Sequence, residues 1–365
     1  MTFWNAFEQF FKHKQLRLFE KYLGSRRLFP EEFDPSRVKR ILIVRQHDQL
    51  GDFLLSTPVF RALRKRFPSA YIAVVTRKYT AALAQNNEFI NAVIPFYEHG
   101  ADWRFKSLRY FLQQIRAGYD LTIVLNTVSH SLTSDLIARF SNAPYILGPE
   151  HLLFSGTQTN FFYNLISPYR DGRINQSERN LDIVRYIGAD TEDASENITL
   201  LQSEKEWAKD HLRSMGWDGR KKLVAVHPGA GKIPNRWPVE NFVAVAEKLV
   251  EEKNVQIFLT WGPAEEELGA RFKFLAKFPL ISTIEKNIRR FAALLANTDL
   301  LLCNDTGVMH VGAAVGTPLV AIFGPTDPEQ WKPVGEKIIA VRGKDGACSS
   351  VSPESVLRKA AGLLG

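Results

Sequence analysis

The chain has 365 residues, 45% of them apolar and 24% charged, which exceeds one ordinary core and points to two domains of globular composition. Its formal net charge of +8 sits in one half: residues 37–190 carry 19 Lys/Arg against 12 Asp/Glu, residues 1–36 stand at +1 and residues 191–365 at zero. No run approaches the roughly eighteen apolar residues of a spanning helix, and the two cysteines, Cys303 and Cys348, make neither a disulfide framework nor a zinc spacing, so both are expected reduced in a cytoplasmic protein.

Residues 1–36 read as an amphipathic extension. Phe3, Trp4, Phe7, Phe10 and Phe11 are followed by Lys12, Lys14, Arg17 and Lys21, a pattern that seats a helix in a lipid interface or, equally, docks it on the protein's own core. The opening MTFWNAFEQFFKHKQLRLFEKYLG has no unbroken apolar stretch and no small-residue cleavage site, so a cleavable signal peptide is not expected. From residue 37 to 190, β-branched runs alternate with helical periodicity. KRILIVRQ is a strand, and LLSTPVFRALRKRF a helix with Leu55, Val59, Ala62, Leu63 and Phe67 on one face. YIAVVT, AVIPF and YDLTIVLN are strands, with TAALAQ and SLRYFLQQIRAG as helices between them; SLTSDLIARF and PYILGP continue the pattern. The polar stretch GADTEDASENITL, residues 188–200, marks a domain boundary. A second round fills residues 191–350. KKLVAVHP, VQIFLTWG and PLVAIFG are strands, VENFVAVAEKLVEE and PAEEELGARFKFLAKF are helices, and IRRFAALLANTDLLLCN is a helix followed by a strand. Residues 351–365 hold a closing helix from Pro353 to Leu364. This alternation predicts an α/β fold of two Rossmann-like, doubly wound domains, each a parallel sheet covered on both faces.

In such sheets ligands sit beyond the carboxyl ends of the strands, and three loops of the second half suit a phosphate there. In HPGAGKIPNRWP, residues 227–238, Gly229 and Gly231 flank Ala230 and let backbone N–H groups approach an anion, while Lys232 and Arg236 add positive charge. The loop is not a P-loop, which needs glycine at Val226, nor a dinucleotide fingerprint, which needs it at Pro234. NDTG, residues 304–307, ends a strand and opens a helix. Asp305 or Thr306 is placed to cap that helix, and the amides of Thr306, Gly307 and Val308 would face an anion with the helix dipole behind them and His310 one turn in. FGPTDPEQW, residues 323–331, is the third loop. Glu265 and Glu266, after TWG, are candidate acceptors for ribose hydroxyls. A plain turn, a helix cap and an exposed helix start account for these features one at a time; they do not account for two anion-friendly turns in one domain. The matching turn of the first half is RQHDQLGDFLLSTP, residues 45–58. Asp52 there is either a helix cap or an ionised carboxylate acting as general base, with His47 and Asp48 as alternatives in the same loop.

Three blocks in order between about residues 40 and 335, LGDFLLSTPVFRALRKRFP, HPGAGKIPNRWPVENF and NDTGVMHVGAAVGTPLVAIFGPTDP, resemble glycosyltransferase family 9, the bacterial heptosyltransferases of lipopolysaccharide core assembly. The resemblance implies a GT-B fold, with the acceptor on the first domain and the nucleotide-sugar on the second, facing across a cleft. It implies an inverting transfer without metal or other cofactor, from a nucleoside-diphosphate sugar such as ADP-heptose to an acidic, lipid-linked glycan. Asp52 takes the place of the family's base, and Asp305, Thr306 and Gly307 that of its phosphate-binding turn, with His310 following. Gly229, Ala230, Lys232, Arg236 and Glu265 are expected to complete the donor site, and Arg45, His47, Gly51, Arg77 and His130 to meet the acceptor. Two departures stand out. Asn235 occupies a position, two residues before Trp237, that often holds lysine in the family, which leaves Lys232 or Arg236 to supply the charge. The loop from Arg45 to Gly51 is also one residue longer.

The basic first half suits a phosphorylated acceptor at the cytoplasmic face of the inner membrane, with peripheral membrane contact. A sugar-nucleotide isomerase or epimerase of the same fold would share the phosphate site and need no lipid acceptor; a non-catalytic nucleotide-sugar-binding protein would need neither. A nucleic-acid partner is not expected, because no binding module is present and the cations are spread over loops and helices.

Overall fold

The computed structural model describes residues 20–47, 49–97, 103–150 and 160–365. The aromatic cluster Phe3–Phe11 and the alternative base Asp48 lie outside the described residues. The first lobe runs β1 (Arg40–Arg45), α1 (Leu50–Leu54), α2 (Thr57–Arg66), β2 (Tyr71–Arg77), α3 (Lys78–Ala84), β3 (Ala92–Phe96), α4 (Phe105–Ile115), β4 (Leu121–Val124), α5 (Leu132–Phe140), β5 (Tyr145–Pro149), β6 (Leu165–Ser167) and α6 (Gln176–Arg185). The second runs α7 (Gln202–Ser214), β7 (Leu223–His227), α8 (Val239–Lys253), β8 (Gln256–Thr260), α9 (Glu266–Leu275), β9 (Leu280–Thr283), α10 (Ile288–Leu295), β10 (Leu300–Asn304), α11 (Gly307–Ala314), β11 (Leu319–Phe323), α12 (Pro328–Trp331), β12 (Ile338–Arg342) and α13 (Pro353–Leu364).

Each lobe holds one parallel six-stranded sheet, ordered β3-β2-β1-β4-β5-β6 in the first and β12-β11-β10-β7-β8-β9 in the second. This is the two-lobed α/β arrangement of the GT-B fold. The central strands are apolar along their whole length, because helices cover both faces: Ile41 to Val44 and Leu223 to Val226 are fully buried. One cluster of buried side chains runs from Leu54, Phe60 and Leu63 of the first lobe through Ala194 and Ile198 to Leu294 and Met309 of the second. The lobes therefore share apolar contact, and the polar stretch 188–200 passes through that contact. It has no regular secondary structure.

Two local readings need correction. The helix expected across LLSTPVFRALRKRF is two helices, α1 and α2, with a break at Leu55–Ser56. Pro58 sits in the first turn of α2, where its missing N–H costs nothing, whereas inside one continuous helix it would remove a hydrogen bond. The sequence pattern also leaves out β6, α6, α7, β9 and β12. The closing helix α13 packs on α8, β10 and β11 of the second lobe. Of the N-terminal segment, residues 25–28 lie along the chain leading into β6, with the Ser25 amide donating to Phe161 O at 2.8 Å and the Leu28 amide to Asn164 O at 2.7 Å. Phe33 packs edge-on against Tyr145.

Candidate active site

In both sheets the chain order reverses once, between β1 and β4 in the first lobe and between β7 and β10 in the second. A crevice opens beyond the strand ends at such a reversal. The loops that follow those four strands are the Asp52 turn, residues 125–131, the Gly229 loop and the Asp305 turn.

In the second lobe the register Cys303↔His227 brings Asn304 level with Pro228. Its buried side chain ties the two loops together: the amide donates to Pro228 O at 2.9 Å and Gly229 O at 3.2 Å, and its carbonyl accepts the Trp237 N–H at 3.0 Å. Asn304 was not singled out from sequence, although its place at the mouth of a buried strand was the available signal. Asp305 does not cap α11. Its carboxylate accepts from the Asn235 amide at 3.2 Å and from the Thr326 hydroxyl, so it joins all three phosphate-suited loops. Thr306 takes the cap position with extended backbone and no side-chain cap bond. Among the described residues the amides of Thr306, Gly307 and Val308 donate to no protein acceptor, which leaves the start of α11 as an uncapped, partly exposed set of donors. Burial pushes the Asp305 carboxyl up, against the lowering effects of Thr326, His310 and Lys232. Asn235, in place of the lysine often found there in the family, supplies a neutral donor to this half-buried acid; Lys232 is exposed in the same loop.

Gly229 has no room for a side chain, because the Glu265 carboxylate lies directly on its Cα. Glu265 accepts the Gly262 amide at 2.8 Å and stands 3.4 Å from His227 Nε2. Burial raises its pKa, but His227, the Gly262 amide and Arg236 outweigh this and leave it lowered. Arg236 Nε donates to Ala230 O at 2.8 Å. Gly229, Ala230, Arg236 and Glu265 thus form one connected patch, while Glu266 begins α9 and points to solvent.

In the first lobe Asp52 occupies the third position of α1, and one carboxylate oxygen accepts the Gln49 amide at 3.0 Å. The residue is half-buried. Arg45, expected at the acceptor, is 1% exposed. Its guanidinium donates to Leu125 O and, at 2.9 Å, to Asp52 O, so it props the Asp52 turn from beneath and presents no surface to an acceptor. His47 Nε2 lies 2.7 Å from the Ser129 hydroxyl, and Arg77 Nε donates to Gln46 O at 3.3 Å. Gln46 in turn donates to Ser131 and Ser134, so His47 and Arg77 belong to a rim linking the loops after β1, β2 and β4. His130 is held lower down, its Nε2 2.5 Å from Asp135, whose other oxygen accepts from the buried Tyr163 hydroxyl. That anchorage holds the ring against α5; the acceptor role expected of His130 finds no support in it.

The lobes meet at the two turns. α1 lies against α11, and each brings a glycine to the contact. A side-chain carbon at Gly51 would stand 2.7 Å from His310 Cδ2 and 3.0 Å from Nε2, and one at Gly307 would stand 2.9 Å from Leu50 Cδ2. On its other side His310 Nδ1 lies 2.6 Å from Glu196 Oε1. Both side chains are buried. Burial alone would lower the His310 pKa, but Glu196, Asp305 and Asp52 together raise it. Glu196 belongs to the polar stretch read as a mere boundary, and its composition gave no sign of this contact.

Among the described residues no group of three or more His, Cys, Asp or Glu side chains is placed to hold a metal ion, and no helix is long and apolar enough to cross a membrane. Over 297 residues the chain is 26% identical to lipopolysaccharide heptosyltransferase 3 of Escherichia coli, covering 79% of this chain and 85% of that one. Among solved structures, a family 9 glycosyl transferase from Veillonella parvula superposes with a TM-score of 0.79 at 23% identity, covering 89% and 97% of the two chains. An E. coli heptosyltransferase solved with ADP superposes with a TM-score of 0.71 at 18% identity, covering 89% and 99%. The model of glycosyltransferase family 9 (heptosyltransferase) matches residues 108–361, and the chain belongs to that family of glycosyltransferases.

Proposed function

We propose that the protein transfers a heptose, with inversion and without a metal ion, from ADP-heptose to an acidic, lipid-linked core glycan. The observation that carries this reading is the meeting of the Asp52 turn with the uncapped start of α11, one from each lobe. Free amides at a helix start, in a crevice partly closed to water, stabilise the charge that develops on a departing diphosphate; one such donor is worth roughly 3 kcal/mol at a transition state. Lys232 adds positive charge on an exposed side chain, Arg236 adds it from a side chain tied to Ala230 O, and protonated His310 adds fixed charge one turn inside. On the facing side, Asp52 keeps one oxygen on the Gln49 amide and uses the other to take the acceptor hydroxyl's proton as the new glycosidic bond forms. Attack from the face opposite the leaving diphosphate inverts the anomeric centre.

The choice of ADP follows from the relatives: a protein of the same fold was solved with ADP. The acceptor class follows from charge. The first lobe holds nearly all of the excess positive charge, which favours a phosphorylated glycolipid and peripheral contact with an anionic membrane at its cytoplasmic face. Two domains of Rossmann type, with residues 188–200 between them, suit closure of one lobe on the other during turnover.

The test supplies purified protein with ADP-heptose and a heptose-deficient core glycolipid, in the presence and absence of EDTA. A glycolipid heavier by one heptose, with inverted anomeric configuration and EDTA-resistant yield, is expected. Consumption of the sugar nucleotide without glycolipid would instead identify an isomerase or epimerase, and binding without turnover a carrier.

A further inference from the structure

We propose that Glu196, on the strand of chain joining the lobes, is a positioning residue that holds His310 as an imidazolium against the Asp52 turn, so that seating of the linker and positive charge at the diphosphate site are one event. The pairing stands on geometry alone; its catalytic consequence rests on the glycosyl-transfer reading above.

The Glu196 side chain is fully buried. A buried carboxylate is costly unless it is paired, and the partner here is His310 Nδ1 at 2.6 Å. Among the described residues the second oxygen, Oε2, is buried with no hydrogen-bond partner, so the histidine is the counter-charge that the described residues give this acid. Three carboxylates face His310: Glu196 from the linker, Asp305 from the turn before α11 and Asp52 from α1. Removing the proton from the ring would leave that acidic surround with no cation at its centre. The ring has little freedom to turn away, since Gly51 closes on its Cδ2–Nε2 edge.

The residues beside Glu196 explain how the linker reports on both lobes. The Asn197 amide donates to the Thr57 hydroxyl of the first lobe at 3.0 Å, and its side chain accepts from Asn87 at 3.3 Å. The Ile198 amide donates to Ala314 O, at the end of α11, at 2.9 Å. Glu196 and Ile198 thus grip α11 at two points, while Asn197 between them is fixed to the other lobe. A movement that parts the lobes pulls on Asn197 and withdraws the carboxylate from His310. The ring then loses its nearest counter-charge in the open form and regains it on closure, which loads the site with positive charge when a diphosphate leaves.

The deciding experiment follows the histidine ring signals of the full chain by NMR across pH, with Glu196→Gln, and with His310→Gln to assign the resonance. His310 should titrate above the ordinary histidine value of 6.5 in the wild type. In Glu196→Gln its proton affinity should fall about tenfold or more, one unit of pKa being a factor of ten. An unchanged His310 titration overturns the proposal. Should Glu196→Gln fail to fold, the wild type alone decides, since a His310 that titrates at or below 6.5 is incompatible with the pairing. The second readout is the pH profile of transfer from ADP-heptose. Its alkaline limb should move to lower pH in Glu196→Gln and partly return in Glu196→Asp. A limb that stays in place while the ring titration moves would remove the catalytic role. Wild-type protein that transfers nothing would defeat the glycosyl-transfer reading and leave the NMR result to judge the pairing separately.

Discussion

Gly51 of the first lobe and His310 of the second are in direct contact, so close that a methyl group at position 51 would stand 2.7 Å from the imidazole carbon Cδ2. Gly307 repeats the relationship in the opposite direction, against Leu50. Two helix starts can face each other at this distance only because each has a glycine where the other's side chain, His310 or Leu50, arrives. Gly51→Ala should therefore leave each lobe folded and hold them apart by a few tenths of an ångström or more. Misplacement on the scale of 1 Å costs on the order of 10²-fold in rate, so kcat should drop steeply while ADP affinity, measured by calorimetry, stays within about twofold. A variant with wild-type kcat would mean that the lobes do not need this contact for turnover.

Asp52 carries two separable roles, and the choice of substitution separates them. Its carboxylate accepts the Gln49 amide at the start of α1, a capping contact worth about 1 kcal/mol. Asp52→Asn keeps an oxygen for that amide and removes the base, so thermal stability should hold while transfer falls by roughly 10² to 10⁴-fold. ADP binding should be unaffected in both Asp52→Asn and Asp52→Ala. An Asp52→Asn variant that keeps its activity as well as its melting temperature, while Asp52→Ala loses both, would reduce Asp52 to a cap.

Asn304 is the mechanical tie of the donor side. Three hydrogen bonds join it to Pro228, Gly229 and Trp237, and all lie in a buried environment where a lost partner costs about 1–3 kcal/mol. Asn304→Ala should destabilise the second lobe by that order and loosen the Gly229 loop. The loop's amides would then be less well aligned for a diphosphate, and the affinity for ADP should weaken more than kcat does. Denaturant unfolding and ADP calorimetry on the same samples check both halves; a variant that loses stability with unchanged ADP affinity would confine Asn304 to folding.

These residues differ in how far sequence could reveal them, and the difference is physical. KRILIVR, KKLVAVH and TDLLLCN read as strands because a parallel sheet buried on both faces demands continuous apolar runs. The turns after them read as ligand loops because glycine, Asp and Thr follow such runs in a fixed place. Missed elements had weaker signatures. The helix at Gln202–Ser214 buries only Ala208 and Leu212 among many charges, and LIST and IIAVR form edge strands that are only partly covered. Glu196 was illegible for a different reason. Its neighbours in sequence are polar, and composition assigns such a stretch to solvent; its burial exists only because the two lobes close over it. Arg45 shows the opposite case, because a cation beside a candidate site in sequence gives no hint that its donors are already engaged by Leu125 O and Asp52 O.

The Glu196–His310 pair also makes a prediction about stability, apart from catalysis. Burial pushes the Glu196 carboxyl above its ordinary 4.5, and the surrounding acids, against burial, hold His310 above its ordinary 6.5. Each group thus binds its proton more tightly in the folded chain than in the unfolded one. Stability falls with pH wherever the folded state holds more protons, so the contribution of His310 is fully present below about 6.5 and is lost as pH rises through its higher folded value. The melting temperature with His310 minus that with His310→Gln should accordingly shrink from pH 6 toward alkaline pH. Glu196 loses its partner in His310→Gln and titrates differently there, so the comparison is made in the Glu196→Gln background, where the difference leaves the histidine with Asp305 and Asp52 as its remaining acids. A difference that is flat, or that grows with pH, would mean that Asp305 and Asp52 leave the ring neutral in the folded protein.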